Sequence, residues 1–142
     1  MFLKQLSVFL ENREGRVKDV LKVLKDNDIN IVSLSLADSS DYGLLRLIVD
    51  YPKKSKEILS ENGFTAVLND VIVVKIAHKA GKLQEVLEVL CECNVNIEYM
   101  YALSTGSDDA SIVIKASDIE KAAKAIEESS LEIVSKAEIR SM

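Results

Sequence analysis

Apolar and polar residues alternate over Leu6-Ser7-Val8-Phe9-Leu10, which puts Leu6, Val8 and Leu10 on one face of a strand. A polar loop, 11–15, follows. Val17, Val20, Leu21 and Leu24 then fall at i, i+3, i+4 and i+7, the stripe of an amphipathic helix, with Lys18, Asp19, Lys22 and Lys25 mostly off it. Asn27-Asp28 ends that helix. Residues 29–37 read as a second strand, 38–41 as a turn, and 44–49, apolar apart from Arg46, as a buried strand. Pro52 stops it, because proline cannot donate to the ladder. Residues 53–62 form a second helix that Gly63 terminates, and 64–68 a fourth strand. The same order then returns: strand 71–76, helix 83–90, strand 95–103, turn 104–109 and strand 111–115. Ser117 and Glu120 read as a capping box opening a helix through Ala122, Ala123 and Ile126, and 131–139 as a last strand.

The return is visible residue by residue. Gly15-Arg16-Val17-Lys18-Asp19-Val20-Leu21 and Gly81-Lys82-Leu83-Gln84-Glu85-Val86-Leu87 align without a gap at an offset of 66 residues, and Asn30-Ile31 aligns with Asn96-Ile97. A period near half the chain means two copies of one small domain, 1–70 and 71–142, because there are too few copies to stack as a solenoid. Each copy runs βαββαβ, the ferredoxin-like order, with both helices on one face of an antiparallel sheet. Only Asn69-Asp70 separates the expected strands of the two copies, so the fold class is α+β: two ferredoxin-like units held as a rigid pair, all four helices on one face of a nearly continuous sheet.

Composition narrows the function. The chain has 142 residues and 48% hydrophobic content, and half of it alone would be only marginally stable. The formal net charge is −5 with no basic stripe, and aromatic content is 5%, against a nucleic-acid surface. The N-terminal residues do not resemble a signal peptide, and no apolar run approaches the ~18 residues of a membrane span. A cytoplasmic protein without membrane attachment is expected. Cys91 and Cys93 lie two apart in a helix and do not share a face, so they read as reduced thiols, at least one of them packed on the core. His78 is the single histidine, which leaves no metal set and no cofactor motif. No nucleophile–base set and no P-loop occur.

The candidate chemistry lies where strands meet helices. The loops 11–16 and 77–82 each precede a helix whose free N–H groups favour an anion, and Gly15 and Gly81 either let a ligand approach the backbone or simply make the turn. Asn30 and Asn96 open strands, where Asn is poorly suited. Each either shapes the turn or faces a ligand with its amide. The two features lie at opposite ends of one helix, about 20 Å apart by helix rise, so one small molecule could use both only if two units face each other.

The segment Glu11-Asn12-Arg13-Glu14-Gly15-Arg16-Val17, with Ile29-Asn30-Ile31 at the right distance, resembles the ACT-domain signature. It is especially close to the serine-binding regulatory domain of phosphoglycerate dehydrogenase. The resemblance implies ferredoxin-like regulatory modules that bind amino acids at domain–domain interfaces and often pair into an eight-stranded sheet. It implies a ligand site at Asn12, Glu14, Gly15, Arg16, Val17, Asn30 and Ile31. In the second copy the site is His78, Ala80, Gly81, Lys82, Leu83, Asn96 and Ile97, with His78 in place of the loop Asn. The usual Pro is Glu14 in one copy and Ala80 in the other. The expected protein is a non-catalytic, homodimeric amino-acid sensor whose output is read by another protein such as a regulated enzyme. The alternative is a structural pairing module without a ligand.

Overall fold

The computed structural model describes residues 2–11, 14–38, 42–77, 81–104 and 109–142. They form seven strands and five helices: β1 (Leu3–Glu11), α1 (Arg16–Asp26), β2 (Ile31–Asp38), β3 (Tyr42–Val49), α2 (Pro52–Glu61), β4 (Thr65–Ala77), α3 (Lys82–Glu92), β5 (Ile97–Ser104), β6 (Asp109–Ala116), α4 (Ile119–Glu128), β7 (Glu132–Ile133) and α5 (Lys136–Arg140). The chain divides into two compact units, Lys4–Asn69 and Asp70–Met142, the latter with Phe2 and Leu3.

In the first unit the strands lie in the order β2-β3-β1-β4. β1 and β2 both pair antiparallel with β3, in registers that include Leu6 with Leu47 and Leu36 with Leu45. One face carries the core: Leu6, Val8 and Leu10 of β1 and Leu45, Leu47 and Val49 of β3 meet Val20 and Leu24 of α1 and Leu59 of α2. α2 starts with Pro52 at its first turn, where the missing N–H is harmless, and ends at Gly63 with φ 84°.

The second unit repeats this as β5-β6-β4-β7. Ile72, Val74, Ile114 and Ala116 meet Val86 and Leu90 of α3 and Ala122, Ala123 and Ile126 of α4, with Cys93 packed at the margin. Cys91 and Cys93 are free thiols, Cys91 exposed.

Four expectations change. Asn69-Asp70 makes no break: 65–77 is one strand, so β4 fills a strand position in both units and the eight positions occupy seven strands. Both residues are half-buried and carry an extended backbone into an apolar run, which outweighs their turn preference. Second, the expected last strand 131–139 shrinks to Glu132–Ile133 and is followed by α5, a fifth helix. Ser135 and Glu138 form a reciprocal capping box there. Lys75 bonds Glu138 at 2.7 Å, and Lys75 points away from the face of Ile72 and Val74, so α5 lies on the face opposite α3 and α4. Third, Ser117 does not cap α4. Asp118 does, accepting from the Lys121 N–H, while the Ser117 hydroxyl accepts from the Asn96 N–H at 3.2 Å. Fourth, the helix stripe centres on Val20 and Leu24 and on Val86 and Leu90, all fully buried, whereas Leu21 and Leu87 are half-buried at its edge.

Candidate functional site

Gly15 and Gly81 adopt the same left-handed conformation, with φ 83° and 86°, as the residues that cap α1 and α3. Their carbonyls accept the first helical bonds, from Asp19 N–H at 2.9 Å and Glu85 N–H at 3.1 Å. A Cβ at either position would meet nothing within 4 Å. The backbone conformation demands glycine, and the space above it is open. The capping residue of each helix is a glycine and has no side chain to bond the first N–H groups, which carry the positive end of the helix dipole. Arg16 lies with its guanidinium 4.3 Å above the Phe64 ring, Nη1 3.7 Å from Asp19 and a buried Nε without a hydrogen-bond partner. Lys82 sits 3.3 Å from Glu85 in the second unit. The first helical turn therefore places its own cation beside an acid three residues on. Glu14 is exposed, and Val17 and Leu83 are half-buried. Asn12, His78 and Ala80 lie outside the described residues.

At the other end of each helix the chain reverses through a residue in the left-handed region, Asp28 (φ 56°) or Asn94 (φ 58°). Ile29 N–H reaches Leu24 O and Val95 N–H reaches Leu90 O, at 3.0 and 3.1 Å, closing a Schellman motif in both units. The side chain following that turn is Ile29 or Val95, both buried, and the next is Asn30 or Asn96, both exposed. A second strand end holds each Asn by its backbone. Asn30 N–H donates to the Asp50 carboxylate at 3.0 Å, and Asp50 N–H returns a bond to Asn30 O at 3.2 Å. Asn96 N–H donates to the Ser117 hydroxyl at 3.2 Å, and Ser117 N–H returns to Asn96 O at 2.9 Å. Immediately beyond, both strands shift register, between Ile31 and Ser33 and between Ile97 and Tyr99. Such a bulge re-aims the preceding side chains. Ile31 and Ile97 turn inward against the two cores.

Within the second unit this strand opening borders a shallow, open depression of about 450 Å³. Leu87, Leu90 and Cys91 form one wall, and Asn94, Val95, Asn96 and Ile97 the other.

Each unit thus carries the glycine end and the Asn end of one helix at opposite termini. Eleven residues of helix separate them, about 16 Å. Gly15, Arg16 and Val17 lie together, as do Gly81, Lys82 and Leu83; Asn30 with Ile31 and Asn96 with Ile97 stand apart from them. Sequence reading missed Asp50 and Ser117, which fix the two Asn backbones. Their signal was present: each ends the third strand of its unit, at an offset one residue longer than the rest of the repeat. It placed the end of the first helix at Asn27-Asp28 but did not single out Asp28 or Asn94 as the left-handed residue of the turn.

No helix of the described residues is long and apolar enough to cross a membrane. A comparison with curated proteins gives no match. Among solved structures, a Bacteroides thetaiotaomicron protein is 34% identical, covers 100% of this chain and 98% of its own, and superposes with a TM-score of 0.93. The regulatory subunits of aspartate kinase from Thermus thermophilus and Thermus flavus share the fold at 19% and 18% identity. Their TM-scores are 0.62 and 0.59, with 88% of this chain covered in each case and 91% and 90% of theirs. The duplicated ferredoxin-like order, the paired glycine helix starts and a family match that spans residues 1–142 lead to one assignment: the chain belongs to the ACT domain pair family.

Proposed function

We propose that this protein is a non-catalytic sensor that binds an amino acid at interfaces between ACT units, which are regulatory modules. The units are 1–70 and 71–142. The carboxylate would rest on the N–H groups after Gly15 or Gly81, and the loop residues Asn12 and His78 are further candidates for the amine. The amine would face Asn30 or Asn96. The observation that carries this reading is the duplication of two features. One is a helix start capped by a left-handed glycine with open space above it. The other is an exposed Asn whose backbone is held from both sides. Because the two ends of one helix are too far apart for a single small molecule, the site is completed by a unit facing in from elsewhere. A homodimer supplies that unit, its ACT units meeting edge to edge in an eight-stranded sheet, and the readout goes to a regulated enzyme in the cytoplasm. The finer likeness to the serine-binding domain of phosphoglycerate dehydrogenase belongs to this proposal and makes serine one ligand to try.

Titration calorimetry against the twenty amino acids tests it. One of them should bind at submillimolar concentration. Asn30→Ala or Asn96→Ala should weaken that binding about tenfold to a hundredfold while the fold stays intact. If none binds, the structural pairing reading replaces it.

A further inference from the structure

The outer face of the first unit, the side of its sheet away from α1 and α2, carries an aromatic patch that the fold leaves in water. Phe9 stands between Val8 and Leu10, both core residues, so it points to the other side of β1. It lies opposite Leu44, and Glu11 lies opposite Tyr42, which sets Phe9 and Tyr42 on a diagonal of that face. Their ring centroids are 6.4 Å apart, with the planes tilted by 51°. Val67 joins them on this side, because its neighbours Ala66 and Leu68 belong to the core. The three side chains are 42%, 51% and 37% exposed. In the second unit the corresponding face is dry. Val73 and Val113 pair there, on the side away from Ile72, Val74 and Ile114, and both are fully buried. α5 lies on that face, with Ile139 buried. The first unit has no such segment, because 65–77 continues as one strand where the second unit turns into α5.

From this we infer that the outer face of the first unit is a self-association surface, on which a second copy of the chain lays the same face about a two-fold axis. Charge selects that occupant. The charged residues at outward strand positions are Glu11 and Arg46, one of each sign, so the face is neutral in a chain of net charge −5. Two copies repel each other over most of their surface but not here, and an acid and a base on one face can meet their opposites across a two-fold axis. A membrane surface or a nucleic acid would call for a basic face instead. Area sets the strength. An aromatic side chain offers about 150–250 Å², so three side chains exposed by roughly half, with their rim, supply about 400 Å² per copy. The total of about 800 Å² falls below the ~1,200 Å² at which stable interfaces begin, so the contact forms at hundreds of micromolar rather than at micromolar concentration. Leu34 and Leu36 lie on the helix side of the sheet, so this contact and one along the β2 edge can coexist. It needs no ligand.

Sedimentation equilibrium on the full chain, from about 10 μM to about 1 mM, tests it. The weight-average mass should double in the upper part of that range. Phe9→Lys should weaken this step about tenfold or more and so remove it from the range, and the milder Tyr42→Ser should move it in the same direction. Circular dichroism melts confirm that each variant is folded. Leu36→Lys, on the helix side of the sheet, should leave the step in place. A mass that stays constant up to about 1 mM would overturn the inference and leave the face to a different protein. A step that survives in both Phe9→Lys and Tyr42→Ser, or one that Leu36→Lys removes, would overturn it too, because the association would then run through another surface.

Discussion

Four positions decide how the chain enters and leaves the first helix of each unit. Gly15 and Gly81 have positive φ and open space above them, so an added methyl group meets no neighbour and the whole penalty is conformational. Gly15→Ala or Gly81→Ala should lower stability by about 1–2 kcal/mol, read as a reduced urea midpoint at unchanged slope. Asp28 and Asn94 pose the opposite case, since a side chain already sits in the left-handed region. Asn94→Gly should raise stability by about 0.5–1 kcal/mol in the same experiment, and unchanged or lower stability would mean that its side chain repays the strain. The glycines were legible because the repeat printed them twice before an apolar helix. Asp28 and Asn94 were not, because Asn and Asp are ordinary helix-end residues and only backbone angles identify which one turns the chain. The exposed Asn30 and Asn96 were legible as oddities; that Asp50 and Ser117 hold them was not, because those partners lie 20 and 21 residues away.

Among the elements, helix α1 shows what periodicity can and cannot fix. The spacing of Val17, Val20, Leu21 and Leu24 specifies a helix and its apolar side. It does not say which member faces the sheet squarely, because that depends on how the helix axis crosses the strands. The core takes Val20 and Leu24 and leaves Leu21 at the edge. Leu24→Ala and Leu90→Ala should each cost about 2–5 kcal/mol, and Leu21→Ala distinctly less, by chemical denaturation. Helix α5 was hidden for a different reason. Leu131 to Ile139 alternates well enough to read as a strand, and the same Ser-x-x-Glu signal that marks the real cap at Ser135 also occurs at Ser117, where a neighbouring Asp caps better. Lys75 anchors α5, and the Glu138 carboxyl lies below its ordinary range, chiefly through its hydrogen bond to Lys75, while the Lys75 amine is raised by the same bond. A carboxyl that is lowered on folding stabilises above its unfolded value of 4.5 and loses that contribution as pH falls through the folded value. A raised lysine stabilises below its unfolded value of 10.5 and loses it as pH climbs through the folded one. The pair should therefore add most between those limits. Glu138→Gln should flatten the acid limb of the stability profile only slightly, because both groups are more than a third exposed and water screens them.

For the molecule as a whole, the strands that end each unit's sheet carry the clearest demand for company. β2 and β5 are edge strands, and their registers put Leu34 opposite Leu47, Leu36 opposite Leu45 and Met100 opposite Ile114. These partners belong to the two cores, so Leu34, Leu36 and Met100 face the helix side of their sheets. They are nevertheless 48%, 51% and 41% exposed. Edge strands that stand alone are usually blunted with charge, proline or a covering segment, and around these leucines β2 places only Ser33, Ser35 and Ala37. The repeat explains why the same feature appears twice, and it was the part of the architecture most legible in the sequence. Which edge stays open was not, because strand order is set by pairing far along the chain. A second copy pairing along β2 or β5 would cover these side chains and bring a helix start of one chain toward a strand-opening Asn of another. Sedimentation velocity should accordingly find a dimer at micromolar concentration. Leu36→Lys should weaken a β2-mediated dimer by about tenfold or more without unfolding the chain, since its side chain is half in water already, and Met100→Lys should do the same if β5 is the edge used. A wild-type chain that sediments as a monomer, or a dimer indifferent to both lysines, would show that these edges are not the joint, and would remove with them the second unit that the proposed amino-acid site requires.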